Sequence, residues 1–261
     1  KTMITNKMLG EERREYILNF INRAGSISAI DTARALKVSE TTIRRDLNRL
    51  ASKGLVRRTH GGAINIVSVG HEMKFDIQKE KNIDEKKRIA LAAYSLIGDD
   101  EVILIEAGTT GYQLALNITS RKNLTIITNS CEIAALLGKT NPDYKIILSG
   151  GVLNSDTLSL VGPIADNAFR NIFADTAFIG ISGIDLEKGI TAVDFIEAQT
   201  KRYIINCAKH VVALCDYSKI GHISINFVAP VKKINTFISD MEADKGFTEK
   251  LQEMEIEVIL V

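Results

Sequence analysis

Apolar positions recur at helical spacing in the first part of the chain. Ile17, Phe20, Ile21 and Ala24 repeat at i, i+3, i+4 and i+7, which predicts an amphipathic helix over Glu11–Ala24 ended by Gly25. Ser28 with Asp31 three residues on resembles a shortened capping box, and Ala29, Ala33 and Leu36 mark a short second helix. Only Lys37-Val38 separates that helix from Ser39, an N-cap whose hydroxyl can accept from a first-turn N–H. Lys37 stands at a turn position where Gly would be easier. Ile43, Leu47 and Leu50 then line one face of a third helix, stopped by Gly54. Leu55-Val56 and Ala63-Ile64 can pair as short strands around His60-Gly61-Gly62. Two tightly joined helices behind a first one, followed by a hairpin, make a winged helix-turn-helix.

Past residue 65 the periodicity fades, and 65–78, with Ser68, Gly70 and His71, reads as connecting chain. A different pattern follows. Strand-like runs occur at 102–105, 124–127, 145–148, 177–179, 211–214, 236–238 and 258–261. Helical patterns lie between most of them, at 90–97, 112–117, 132–137, 164–173, 195–208 and 250–254. Continuous apolar strands alternating with helices imply a mostly parallel, Rossmann-like α/β sheet covered on both faces. The expected division is a winged helix-turn-helix at 8–66, a linker at 67–78 and an α/β domain at 79–261.

Charge sharpens this division. Residues 1–66 hold thirteen Lys/Arg against six Asp/Glu, a balance of +7, while the remainder holds twenty against twenty-six, a balance of −6. A basic head on a mildly acidic body suits nucleic-acid binding by the head. Cys131, Cys207 and Cys215 are odd in number and lack C-x-x-C spacing, so neither a disulfide framework nor a zinc site is expected. No apolar run approaches a membrane span and the first residues lack a signal-peptide core, which points to a cytoplasmic protein.

The outward face of the third helix carries Thr41, Arg45 and Asn48, flanked by Thr42, Arg44 and Arg49. Arg can bond guanine bidentately and Thr can reach a base edge or a thymine methyl, so this face suits the major groove. A solvated Arg-rich surface helix is the bland alternative. The hairpin breaks the tie, because Arg57, Arg58 and His60 form a basic wing beside that helix. Arg45 and Thr41 are expected to read bases, and Arg44, Arg49, Arg57 and Arg58 mainly phosphates, with Ser39 at the helix start.

In open α/β sheets ligands bind beyond the carboxyl ends of the strands. Five successive ends here carry small or hydrogen-bonding residues: Glu106-Ala-Gly108-Thr109-Thr110, Thr128-Asn129-Ser130, Ser149-Gly150-Gly151, Gly180-Ile-Ser182-Gly183-Ile-Asp185 and Asp216-Tyr-Ser218-Lys219. Gly108-Thr109-Thr110 is the best phosphate cradle, since Gly admits close approach and a helix N-terminus favours an anion. Turn chemistry alone explains many such residues, but five in register favour one pocket. Glu197 and Lys201 stand at i, i+4, the spacing of a surface salt bridge, and Asp185 is equally a turn residue. Together Asp185 and Glu197 can bond sugar hydroxyls while Lys201 or Lys219 meets a phosphate.

Thr-Ile-Arg-Arg-Asp-Leu (42–47) followed by His-Gly-Gly-Ala (60–63) resembles the N-terminal signature of the DeoR-type bacterial transcriptional regulators. The resemblance continues through Gly-Thr-Thr, Thr-Asn-Ser, Ser-Gly-Gly, Leu-Ser-Leu-Val-Gly-Pro (158–163), Gly-Ile-Ser-Gly-Ile-Asp and Asp-Tyr-Ser-Lys. Glu106 departs from the family's usual Asp, and Thr191-Ala-Val-Asp194 from its Thr-Thr-Pro-Asp. The resemblance implies a sensor domain similar in fold to sugar-phosphate isomerases that binds a phosphorylated sugar. The expected protein is a repressor of a sugar-metabolism operon acting on double-stranded operator DNA, without cofactor or metal, as a homo-oligomer (dimer or tetramer). The rival is a sugar-phosphate isomerase with an accessory head, in which Asp185, Glu197 and Lys201 would shuttle protons.

Overall fold

A computed structural model describes residues 10–24, 26–59, 61–65, 74–141 and 143–261, and the chain folds as two units, Lys1–Met73 and Lys74–Val261. In the first, α1 (Gly10–Ala24), α2 (Ala29–Leu36) and α3 (Glu40–Ser52) enclose a core of Ile17, Ile21, Ala29, Ala33, Ile43, Leu47 and Leu50. Phe20, expected in the apolar stripe of α1, is 45 % exposed, because the buried face narrows to Ile17 and Ile21. Ser28 and Ser39 cap α2 and α3 by accepting from Asp31 N–H and Thr42 N–H, and Lys37 takes the left-handed turn between them at φ 53°.

The wing is a three-stranded sheet rather than a simple hairpin. Strand β1 (Ser26–Ser28) pairs with β3 (Gly62–Asn65), which also pairs with β2 (Val56–Arg58). Gly62 is required there, because a Cβ on it would sit 1.8 Å from the Ile27 carbonyl oxygen. Three residues of β1 between two helices are too short to leave a periodic trace.

The second unit opens with α4 (Phe75–Glu80), so the end of the stretch read as linker is helical. The chain continues through α5 (Ile83–Ser95), β4 (Val102–Ile105), α6 (Thr109–Asn117), β5 (Thr125–Thr128), α7 (Cys131–Thr140) and β6 (Lys145–Leu148). A hairpin of β7 (Val152–Asn154) and β8 (Ser159–Val161) leads to α8 (Pro163–Arg170) and β9 (Ala174–Gly180). Then come β10 (Gly183–Asp185), β11 (Gly189–Ala192), α9 (Phe195–Asn206), β12 (Ala208–Leu214), β13 (Asn226–Ala229), β14 (Thr236–Ser239), α10 (Lys245–Glu253) and β15 (Glu257–Leu260).

Seven strands form one parallel sheet in the order β15-β14-β12-β9-β4-β5-β6. Their side chains alternate between two cores. Ile103, Ile105, Ile126, Phe178, Val212 and Leu214 pack under α5, α6 and α7. Leu104, Ile127, Ala177, Ile179, Val211 and Ala213 pack under α8, α9 and α10. Burial on both faces is why these strands read as unbroken apolar runs. Parallel pairing also brings every carboxyl end to one edge, and the helices α5 and α6, running against the strands, start at that same edge.

Candidate functional site

Two surfaces gather the chemistry, one on each unit. On the first, Ser39 Oγ accepts from Thr42 N–H at 3.1 Å and lies 2.8 Å from Thr42 Oγ1, fixing the start of α3. The helix is anchored from behind by Asp46, buried against α1, where Arg13 Nε reaches it at 2.6 Å and Arg14 Nη1 at 3.4 Å. Thr41, Arg45, Asn48 and Arg49 remain exposed on the outward face. Among the described residues Arg45 and Arg49 have no side-chain partner, whereas Arg44 donates to Glu40 at 2.7 Å. Arg58 joins wing to helix, donating from Nε to Asn48 Oδ1 at 2.9 Å and from Nη1 to the Gly62 carbonyl. The Arg57 side chain and all of His60 lie outside the described residues.

On the second unit the strand edge holds three linked groups. The first surrounds the Gly108 turn. Gly108 sits at φ 154° and α6 begins without a side-chain cap, leaving first-turn N–H groups without intrahelical acceptors. Thr109 and Thr110 are buried there. Gly111 lets the helix settle on the strand end, since a Cβ on it would meet the Glu106 carbonyl oxygen at 2.6 Å. Thr128, Asn129 and Ser130 brace this turn. Asn129 Oδ1 accepts from Ala107 N–H at 2.8 Å, Thr128 Oγ1 from Ser130 N–H at 3.0 Å, and Ser130 caps α7. Gly150 and Gly151 adopt φ of 68° and 129°, and Gly151 lies against the Val161 carbonyl, where a side chain would collide.

The second group is a buried ion pair. Lys201 Nζ lies 3.2 Å from Glu106 Oε1 and donates to the Gly180 carbonyl at 2.6 Å, while Gly180 N–H donates to Glu106 Oε2 at 3.0 Å. Burial pushes the Glu106 pKa up to about 7 against the pull of Lys201, and Glu197 raises it further. Glu197, one turn before Lys201, accepts from Asn154 Nδ2 at 3.0 Å, Ser159 Oγ at 2.7 Å and Thr157 Oγ1. It thereby ties the β7–β8 hairpin to α9. Of the i, i+4 residues, Glu197 thus meets the hairpin and Lys201 meets the buried Glu106 and the Gly180 carbonyl. Asp185 stands apart from both: its Oδ1 accepts from Glu187 N–H and Lys188 N–H at 2.9 Å each, the work of a turn residue.

Of the third group, the sequence offers Lys219 with its Asp216–Lys219 turn, and the fold adds Lys81, Lys86 and His222. Lys219, in a short 3₁₀ turn, shares its surroundings with Lys81, Lys86 and His222 around the buried carboxylate of Asp216, with Glu85 also acting on Lys86. Asp216 Oδ1 accepts from Asn82 Nδ2 at 2.8 Å and from Ser218 N–H at 3.1 Å. Burial opposes its ionisation, but Lys219, these hydrogen bonds and Lys86 hold its pKa below the usual carboxylate value. Burial lowers the Lys86 pKa to about 8, with Asp216 opposing and Lys219 and Lys81 adding to the fall. Burial and Lys219 likewise lower Lys81. The His222 pKa falls for the same reasons, burial first and then Lys219 and Lys81. Three lysines thus gather around Asp216 at the edge where α5 and α6, packed together, both begin, with Glu85 beside Lys86. Lys86 had a legible signal: it stands three and seven residues before Ile89 and Ala93, on the buried stripe of α5.

Each unit matches a known domain. A sequence model of the DeoR-like helix-turn-helix domain matches residues 13–69, and one of the DeoR C-terminal sensor domain matches residues 81–241. The HTH-type transcriptional regulator GolR of Listeria innocua is 31 % identical over 93 % of this chain and 95 % of its own length. The glycerol-3-phosphate regulon repressor of Escherichia coli is 31 % identical over 88 % of this chain and 90 % of its own. Among solved structures, ribose 5-phosphate isomerase A of Methanocaldococcus jannaschii is similar with a TM-score of 0.39 at 17 % identity, over 54 % of this chain and 55 % of that one.

Proposed function

The chain belongs to the DeoR family of DNA-binding transcriptional regulators, and we propose that it is a cytoplasmic repressor released from operator DNA by a phosphorylated sugar or polyol. The observation that carries the effector class is the lysine cluster. Lys81, Lys86 and Lys219 gather around Asp216, with Glu85 the other carboxylate acting on Lys86, on the sheet edge where the uncapped helix N-terminus carrying Thr109 and Thr110 also lies. A phosphate dianion pairs with the lysines and accepts from the N–H groups of that terminus. The name of the E. coli relative, a glycerol-3-phosphate regulon repressor, agrees with that chemistry. In this reading Gly108–Thr110 and the lysines take the phosphate, and the Glu106–Lys201 pair with Glu197 forms the wall facing the carbon chain. On the head, Thr41 and Arg45 read bases, and Arg49, Arg57 and Arg58 hold phosphates.

The rival isomerase reading gives the proton shuttle to Asp185, Glu197 and Lys201, and Glu106, with its raised pKa, stands against Lys201. Its two oxygens are already committed to Lys201 and Gly180 N–H, so we assign it a structural part and the protein no turnover. Calorimetric titration tests the proposal, using glycerol phosphate and hexose phosphates against their unphosphorylated parents, with and without saturating operator at fixed salt. Phosphorylated compounds alone should bind, and operator and effector should weaken each other by one common factor, typically ~5–150-fold. Equal dissociation constants with and without operator would refute the switch, and product formation from any sugar phosphate would favour the isomerase.

A further inference from the structure

Residues 221–228 alternate in exposure. Ile223, Ile225 and Phe227 are exposed by 52, 79 and 52 %, while Ser224 and Asn226 between them turn inward. Ser224 N–H donates to Thr191 Oγ1 at 2.9 Å and Asn226 Nδ2 to the Val193 carbonyl at 2.8 Å. A period of two sets the three apolar side chains along one side of the segment. That segment runs into β13, the edge strand of the small sheet β10-β11-β13, whose outer side pairs with no strand among the described residues. Phe195, 62 % exposed, follows Val193 by two residues and extends the stripe onto the start of α9.

Soluble monomers guard an edge strand with Lys, Pro or a bulge, and a single exposed apolar residue needs no explanation. Within the segment no Lys, Arg, Asp or Glu occurs between Gly221 and Val231; from α9, Arg202 donates to the Phe227 carbonyl, and the β11–β13 pairing shifts register at Ile190/Thr191, yet the Ile223, Ile225 and Phe227 side chains stay exposed. We propose that the Ile223–Ile225–Phe227 stripe, with Phe195, is the surface on which a second copy of this chain docks about a two-fold axis. A two-fold operation places the same stripe on both sides, so an uncharged apolar edge is complementary to itself without like-charge repulsion. Four side chains of this size, more than half exposed, carry on the order of 400 Å². That suits the apolar centre of an interface giving ~800 Å² per partner, with polar neighbours as its rim. A DNA-binding head that reads paired half-sites also needs a partner copy. The inward side of the same segment carries His222, which Lys81 and Lys219 influence electrostatically, so the docking surface and the lysine site share a wall.

Sedimentation velocity of the full chain without ligand or DNA tests this. The parent should sediment as a dimer or a larger even-numbered assembly across the micromolar range. Ile225→Lys changes a side chain mostly in solvent, so its circular dichroism and melting temperature should match the parent while its dimer dissociation constant rises at least ~10-fold. Phe227→Ser should weaken the dimer in the same direction. Phe173→Lys, at a residue 84 % exposed before β9, should leave assembly unchanged. A monomeric parent, an Ile225→Lys variant that assembles like the parent, or equal dissociation by Phe173→Lys would each overturn the proposal. Since no effector is present, those results are independent of the ligand reading.

Discussion

Replacing Lys86 by methionine should make the protein more stable and less responsive at once. Lys86 is 5 % exposed, and burial takes its pKa from the ordinary 10.5 to about 8. At ~1.4 kcal/mol per pH unit, keeping it charged at neutral pH costs the native state about 3 kcal/mol. Methionine has similar length and no charge, so that cost disappears. Against this, the Gln78 carbonyl loses the Lys86 ammonium that donates to it, a loss of about 1–2 kcal/mol. The net gain is about 1–2 kcal/mol, or ~2–8 °C in melting temperature for a domain of this size. The sign is fixed by linkage. The folded pKa is lowered, so the parent gains stability as pH rises from about 8 toward 10.5, and the advantage of Lys86→Met is complete below pH 8 and fades above it. The same change deletes a buried charge facing the proposed phosphate, at ~2–5 kcal/mol, so affinity should fall roughly 30-fold or more. Differential scanning calorimetry at pH 7 and 10, paired with effector titration, measures both halves. A variant that melts below the parent at pH 7 and binds the phosphorylated ligand equally well would refute the reasoning.

Arg45→Ala should cost about 1–3 kcal/mol on the operator and relax specificity, while Arg44→Ala, already held by Glu40, should cost less; fluorescence anisotropy at fixed salt separates them. Gly62→Ala drives a methyl into the Ile27 carbonyl, so the head should lose on the order of 3 kcal/mol or more while the transition of the second unit stays in place. For Glu106, a folded pKa raised to about 7 means the parent loses stability as pH climbs from about 4.5 to about 7. Urea unfolding of Glu106→Gln should show a flatter profile across that window, and parallel profiles would contradict the assigned cause.

The parts of the fold that could be read from sequence were those with one repeated physical demand. Inner strands buried on both faces must be apolar throughout, and the half-exposed edge strands β6 and β15 keep an apolar centre, so all seven members of the parallel sheet were visible as runs, with ends off by a few residues. The caps at Ser28 and Ser39 and the strained turn at Lys37 were equally local and equally visible. Short elements were not. β1, β7 and β8 span three residues each, too few to show a period, and β1 also depends on a partner far along the chain. Asp46 looked like one more charge on a polar face, because its arginines lie more than thirty residues away. The strand-end residues were found as a set, but their division of labour was hidden. Thr128, Asn129 and Ser130 brace the turn, Asp185 closes its own hairpin, and the lysines that concentrate charge came from a Lys- and Glu-rich stretch that resembles a solvated helix.

The clamp on α3 has a consequence for how regulation can work. Asp46 holds the helix from behind, Ser39 fixes its start, and Arg58 fastens the wing to Asn48. A reader assembled this way spends little of its association free energy on ordering itself, so its intrinsic affinity for one half-site is hard to tune from a distance. What remains adjustable is the local concentration at which a second head is presented once the first has bound, a lever of ~10²–10⁴ in avidity. Operator occupancy would then respond to ligand as a change in bivalency. Half-site affinity, measured on a DNA fragment carrying a single half-site, would stay nearly constant.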